Sequence, residues 1–434
     1  MAKQINNQDI TDRERVILVS IEPDELMLPY AWEELTALTE TAGADVVGEI
    51  HQNRDDPDPK TYIGSGKAKE LHMSVLDTNA DLVIVDGELS SVQARNLEEE
   101  VKCRVIDRTQ LILDIFAQRA QTREGKVQVT LAQQMYLLPR LGNLYTKFER
   151  QQGGIGVRGG AGETKLEADR RKVRDGIKDL EAQLAEIRAT RQQQRAQRKR
   201  LPFPTAALVG YTSAGKSTLH NTLSGSGVYA DPKLFATLDP TTRRVTLPDG
   251  WAILLTDTVG FVRNLPTHLV AAFRATLEET IEADFLIHVV DVSHPYMETQ
   301  MRAVLDVLED LGAGNKPMVT VFNKCDLVDD HHRLTDLILS TPNSVYISAT
   351  KGDGIPNLVE HVVTTMEALL KPINVVVPYD KSELVAQCYE YGRVSAAEYL
   401  EDGIHVVARI TGELVGRIAR YEIEPEAATE VAAI

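Results

Sequence analysis

Gly210 to Ser217 reads GYTSAGKS: two glycines bound a short loop that closes on a lysine and a hydroxyl. Backbone N–H groups bared by glycine, a helix N-terminus, an ammonium group and a hydroxyl are what a nucleotide's phosphates and Mg2+ require. Lys216 would reach the β- and γ-phosphates, and Ser217 would ligate the metal. The apolar stretch Thr205 to Val209 (TAALV) reads as a strand feeding the loop, and Ser217 to Leu223 can open a helix. That setting makes Gly210, Tyr211, Thr212, Ser213, Ala214, Gly215, Lys216, Ser217 and Thr218 the candidate phosphate contacts.

Four further patterns follow in chain order. Tyr229 to Arg243 reads as a polar loop holding FATLDPTTR. Its Phe235, Ala236, Thr237, Leu238 and Asp239 are candidate nucleotide contacts, with Thr237 a candidate Mg2+ ligand that closes over the γ-phosphate. A strand over Trp251 to Thr256 runs into Asp257, Thr258, Val259 and Gly260. There Asp257 would hold Mg2+ through water and Gly260 would offer its N–H to the γ-phosphate. A strand over Met318 to Phe322 ends on Asn323, Lys324, Cys325 and Asp326. The Asp326 carboxylate can accept two hydrogen bonds from guanine that adenine cannot donate, and the Lys324 stem can stack on the base. Ser348, Ala349 and Thr350, after a strand over Val345 to Ile347, can meet guanine O6 through backbone N–H. Each tetrapeptide is weak alone. Five in order, each at a strand end, point to GTP/GDP and Mg2+, with Lys216, Thr237 and Gly260 as the catalytic set. Phe261 stands where a water-orienting glutamine is usual. Since Phe cannot position water by hydrogen bonding, intrinsic hydrolysis is expected to be slow, with the missing group supplied by a partner or another residue.

The elements that must carry these residues fall into several bodies. The chain has 434 residues, 43% hydrophobic and 26% charged, as in an ordinary globular protein. No apolar run approaches the ~20 residues of a membrane span. The first residues lack a secretory core, and three scattered cysteines fit a reducing cytoplasm rather than a disulfide framework or zinc site. Residues 15–107 alternate short apolar strands (Val16 to Ile21, Asp45 to Ile50, Leu82 to Val85, Arg104 to Ile106) with helical stretches, which predicts a small parallel α/β domain. Within it YIGSGK (Tyr62 to Lys67) mimics a phosphate loop. It lacks the first glycine and a strand running into it, so a turn before a helix from Lys67 is expected.

From Arg108 the periodicity turns helical, with a break near Gly125. After the Gly-rich stretch Gly153 to Gly162, Leu166, Val173, Ile177, Leu180, Leu184 and Ile187 form a heptad seam. An antiparallel hairpin over 108–200 follows, its second arm about 55 Å long if helical throughout. Net charge is −17, yet Arg140 to Arg200 holds sixteen Lys or Arg against eight Asp or Glu. The run from Arg188 to Arg200 has no acid. This segment reads either as a solvated helix end and linker or as a contact for the phosphates of RNA. Residues 201–370 form the nucleotide domain and 371–424 a small α+β domain, with Asn374 to Pro378 and His405 to Ile410 as strands around a helix. Residues 1–14 and 425–434 are expected to be unstructured ends.

YIGSGK, IDRTQLILDIFAQRA, EGKVQVTLAQ, LPRL, GGIGVRG with GETKLEADRR, GYTSAGKST, FATLDPTTR, DTVGF and NKCD together resemble the HflX family of ribosome-associated translational GTPases. The resemblance spans Val16 to about Tyr421. It implies an α/β protein: a P-loop GTPase domain with a mostly parallel, doubly wound sheet, preceded by a small parallel α/β domain with a long antiparallel helical hairpin and followed by an α+β domain. It also implies a cytoplasmic GTPase, with peripheral membrane association allowed, that binds the 50S subunit and splits stalled or idle 70S ribosomes when GTP-loaded. The hairpin would approach the peptidyl-transferase region of 23S rRNA, and the ribosome would stimulate hydrolysis. A monomer is expected, with no DNA partner and no integral membrane segment. Two departures stand out. Arg158-Gly-Gly-Ala-Gly-Glu163 replaces the family's RGPGE, and Ser213 replaces a frequent Asn, which argues against potassium stimulation. A 50S-assembly GTPase, an RNA-remodelling protein with an N-terminal ATP site and a non-ribosomal signalling GTPase are the competing readings.

Overall fold

The computed structural model describes residues 13–141, 161–198, 203–225, 234–248, 251–263 and 277–422. The Gly-rich stretch 153–160, with Lys147, Arg150 and Arg158, lies outside them, as do residues 1–12 and 423–434. The chain clusters into two compact units. The first holds Met1–Glu186 and Pro232–Leu238 among others; the second holds Ile187–Asp231, Asp239–Arg263 and Ala275–Ile434.

In the first unit, β1 (Arg15–Ser20), β2 (Asp45–His51), β3 (Leu82–Val85) and β4 (Arg104–Asp107) form an all-parallel sheet in the order β2-β1-β3-β4. Val16, Ile17, Val83 and Val85 are wholly buried, as a sheet covered by helices on its faces requires. The crossovers contain α1 (Leu28–Ala42), α2 (Ser65–Thr78) and α3 (Ser91–Val101). The YIGSGK stretch is a turn. Tyr62 bridges Asp58 and sits at φ +68°, and Gly64 caps α2, which starts at Ser65 rather than Lys67.

The IDRTQ stretch at the end of β4 proves architectural. Asp107 caps α4 (Arg108–Arg119) by accepting the Gln110 N–H at 2.9 Å, and also accepts the Tyr136 hydroxyl at 2.8 Å. Arg108, only 1% exposed, pairs with Asp86 at 2.7 Å and with Glu34. Truncating either end of such a pair would strand a buried charge.

The helical break falls at Ala120, not near Gly125. α5 (Arg123–Leu137) starts behind Thr122, whose hydroxyl accepts the Gly125 N–H at 3.0 Å, and so Gly125 lies inside the first turn. α6 (Ala161–Arg198) is a 38-residue helix, about 57 Å long. Its Ile177, Leu180 and Leu184 pack with Val127 and Leu131 of α5, so α5 supplies the partner the heptad seam demands. At Gly176 an added Cβ would come within 2.8 Å of the Gln134 amide oxygen, which marks the close approach of the two helices.

The second unit holds a six-stranded sheet, β10-β9-β8-β5-β7-β6, built from β5 (Thr205–Val209), β6 (Thr241–Thr246), β7 (Ala252–Asp257), β8 (Phe285–Asp291), β9 (Met318–Asn323) and β10 (Ser344–Tyr346). Five strands run parallel. β6 is antiparallel to β7 at the edge, which corrects the reading of Tyr229 to Arg243 as loop throughout. Its mixed, mostly exposed TTRRVT has no alternating core face, and the pairing with β7 alone makes it a strand. α7 (Lys216–Ser224), α8 (Met297–Asp310), α9 (His331–Ser340) and α10 (Ile355–Leu369) accompany the sheet.

A second, three-stranded antiparallel sheet in the order β11-β13-β12 comprises β11 (Lys371–Val377), β12 (Gly392–Leu400) and β13 (Gly403–Ile410), with α11 (Ser382–Tyr391) and α12 (Gly412–Ile418). Lys371-Pro372 lies inside edge strand β11, where a proline's missing N–H is tolerated. β12 was invisible to periodicity because its residues are mostly exposed.

Candidate nucleotide site

The phosphate loop follows β5 and opens α7. Two of its backbone turns admit only glycine. At Gly210 (φ +150°) a Cβ would lie 2.2 Å from the Val289 carbonyl oxygen, and at Gly215 (φ +98°) 2.2 Å from the Asn323 amide nitrogen. Ala214 is buried behind the loop, whereas Ser213 is exposed at φ +59°. Lys216 Nζ donates to the carbonyls of Gly210 (3.0 Å) and Tyr211 (2.7 Å). An ammonium has three N–H donors, so one remains for a phosphate. Burial pulls Lys216 down to about 8, partly offset by Asp257.

Ser217 Oγ donates to Asp257 Oδ2 at 2.7 Å. A hydroxyl beside one carboxylate is a hard-oxygen pair that fits Mg2+, which takes few protein ligands and completes its shell with phosphate and water. The Thr212 hydroxyl is buried without a hydrogen-bond partner among the described residues, a further polar group in the loop left for a ligand. Among the described residues no group of three or more His, Cys, Asp or Glu could hold a metal.

The Asp257–Gly260 run ends β7, beside β5. Thr258 is fully buried and donates to the Leu208 carbonyl at 2.5 Å; Val259 is buried as well. A Cβ at Gly260 would lie 2.8 Å from Thr212 Cα and 3.0 Å from Lys216 Nζ, which puts Gly260 against the phosphate loop. Phe261 is buried, with its backbone paired to the loop: its N–H donates to Gly210 O at 3.1 Å and its carbonyl accepts the Thr212 N–H at 2.8 Å. The ring is therefore packing, not solvent-facing.

Asn323 ties the base side to the phosphate side. Its Nδ2 donates to Ala214 O at 2.8 Å and its Oδ1 accepts the Ala349 N–H at 3.0 Å. Lys324, at φ +63°, points its ammonium to Asp291, 2.5 Å away. Cys325 opens a short 3-10 turn, Cys325–Leu327. A hydrogen bond from the buried Ser348 hydroxyl holds the Asp326 carboxyl below its usual range, and Lys351 lies 3.4 Å away. Thr350 is exposed, and Thr218 half-buried in α7.

Four of the five patterns thus meet at the carboxyl edge of the second unit's sheet. In the fifth, Asp239 clusters with the second unit, while Phe235, Ala236, Thr237 and Leu238 cluster with the first. Phe235 packs edge-to-face on Phe116, with centroids 4.7 Å apart, at φ +52°. A buried aromatic contact offsets a backbone conformation that bulky residues avoid. The stretch is anchored rather than simply polar.

Sequence reasoning missed His288 of β8. It is 1% exposed and lowered to about 4 by burial and then by the charge of Lys216. A histidine inside an apolar run gives no periodic signal. Three arginines of the basic segment also have partners within the protein. Arg140 is spent internally, on Asp107 at 3.2 Å and over the Tyr136 ring at 3.6 Å. Arg188 and Arg191 face Glu278 (3.7 Å) and Glu279 (3.9 Å), acids from distant sequence.

Four family models match in succession: GTP-binding GTPase N-terminal over residues 30–117, GTP-binding GTPase middle region over 119–198, 50S ribosome-binding GTPase over 205–324 and HflX C-terminal domain over 334–421. The chain is 46% identical over 407 residues to GTPase HflX of Lacrimispora saccharolytica, covering 94% of this chain and 96% of that one. It is 43% identical over 372 residues to GTPase HflX of Escherichia coli, covering 86% and 87%. A solved GTP-binding protein from Sulfolobus solfataricus, in complex with GDP, is 24% identical and aligns over 81% of this chain and 98% of that one with a TM-score of 0.44. No described helix is long and apolar enough to cross a membrane.

Proposed function

Because the chain belongs to the HflX family of GTPases, hydrolysing GTP to GDP and phosphate, we propose that its GTP-bound form docks on the 50S subunit and drives stalled or idle 70S ribosomes apart. Hydrolysis then releases it. The observation that supports this most is one of continuity. The long helix α6 carries the basic run to Arg198, and β5, the strand that ends on the phosphate loop, begins at Thr205. A change at the phosphates has a short covalent route to the RNA-binding arm.

In the proposed chemistry Lys216 meets the β- and γ-phosphates, and the backbone of the Gly210–Thr218 loop wraps around them. Ser217 would hold Mg2+, with Asp257 behind it, and the loop pattern makes Thr237 a further candidate ligand. When bound, the metal neutralises charge on the phosphate oxygens. Gly260 offers its N–H to the γ-phosphate, and Asp326 selects guanine while Asn323 keeps Ala214 and Ala349 in register. Phe261 supplies no hydrogen bond to water, so the intrinsic rate is slow and the ribosome supplies the stimulus. The 23S rRNA is the partner of the hairpin, in a cytoplasmic setting.

Sedimentation of 70S ribosomes with the protein and a non-hydrolysable GTP analogue tests the reading. Free 30S and 50S peaks are expected. Intact 70S particles, with the protein bound only to 50S, would transfer the assignment to subunit assembly.

A further inference from the structure

Tyr211 occupies the second position of the phosphate loop, and its side chain does something the loop pattern does not require. Its phenolic oxygen accepts the Arg263 backbone N–H at 2.6 Å, and the residue is buried. Its own carbonyl accepts a hydrogen bond from Lys216 Nζ at 2.7 Å. Between these two attachments the chain past Asp257 is zipped to the loop, Phe261 N–H to Gly210 O and Thr212 N–H to Phe261 O. The intervening Gly260 is pressed so close that a Cβ would meet Thr212 Cα and Lys216 Nζ.

We propose that Tyr211 is a positioning residue for GTP hydrolysis, its phenol clamping the chain at Arg263 so that the Gly260 N–H is held beside Lys216 where a γ-phosphate arrives. The physical need is specific. Phe261 carries no polar side chain with which to organise this segment, so the order must come from the backbone. A hydrogen bond from this part-buried N–H to a buried phenol does this without placing another side chain near the phosphates. The proposal rests on the hydrolase activity alone and stands or falls apart from the ribosomal reading.

The test is Tyr211→Phe, which keeps the ring and removes one oxygen, assayed without ribosomes. Losing this one part-buried hydrogen bond is expected to slow single-turnover GTP hydrolysis about fivefold. Affinity for a non-hydrolysable GTP analogue should drop by a similar factor, while affinity for GDP, which has no γ-phosphate, stays at the wild-type value. The ratio of the two affinities separates positioning from general damage: equal losses for both nucleotides, or wild-type rates, overturn the proposal. Amide exchange supplies a measurement independent of the variant. In the wild-type protein the Arg263 amide should exchange slowly, and fast exchange there overturns the clamp as well.

Discussion

Ser217 and Asp257 come from different elements, the first turn of α7 and the end of β7, yet their side chains meet at 2.7 Å. Replacing the hydroxyl (Ser217→Ala) removes one proposed Mg2+ ligand without disturbing the loop glycines. Single-turnover hydrolysis is expected to fall by about 10²-fold or more, and GDP affinity should stop responding to added Mg2+. A variant that still hydrolyses within about threefold of wild type would remove Ser217 from the metal site.

Nucleotide affinity should weaken in alkali. Lys216 is lowered to about 8 by burial, and phosphates favour its charged form, so binding above that value must first restore a proton. The protonated fraction predicts GDP binding about tenfold weaker at pH 9 than at pH 7. Equilibrium titration with fluorescent GDP measures this, and a flat profile would refute it. The stability sign is opposite. Between about 8 and 10.5 the folded protein holds fewer protons at Lys216 than the unfolded chain, so its stability rises with pH across that window.

Acid should destabilise the second unit through His288. Its folded value, about 4, lies below the ordinary 6.5, so the unfolded chain takes the proton first as pH falls. Stability is then lost between 6.5 and 4, by an amount on the order of 3 kcal/mol at the lower end. Urea midpoints from pH 7 to 4 should fall less steeply for His288→Asn than for wild type. Parallel slopes would clear His288 of the effect.

Base selection should turn on Asp326. Asp326→Asn puts a donor where guanine presents donors, so GTP affinity is expected to fall by about 10²-fold or more. Xanthosine nucleotides, which present an acceptor there, should gain. Competition binding with GTP and XTP decides it; an unchanged preference would place the base elsewhere.

The phosphate loop, the Asp257 run and the Asn323 run were legible because each is a contiguous motif whose backbone demands, such as Gly210 and Gly215, are met by residue type alone. β6 and β12 were not, since both are exposed strands whose pairing comes from a neighbour rather than from their own alternation. The break at Ala120 escaped because Gly125 is the louder signal, although Thr122 makes the cap.

By itself, then, the sequence determined the α/β class, the order of the nucleotide motifs and the seam of α6, because periodicity and glycine placement are local properties. Only the tertiary structure decided where long-range partners fall. It gave Arg140 to Asp107, Arg188 to Glu278, Phe235 to Phe116 and the Tyr211 phenol to the Arg263 amide. The reason is that a charge, a ring or a hydroxyl states what it can bind, but which partner lies within a few ångströms depends on how distant segments pack.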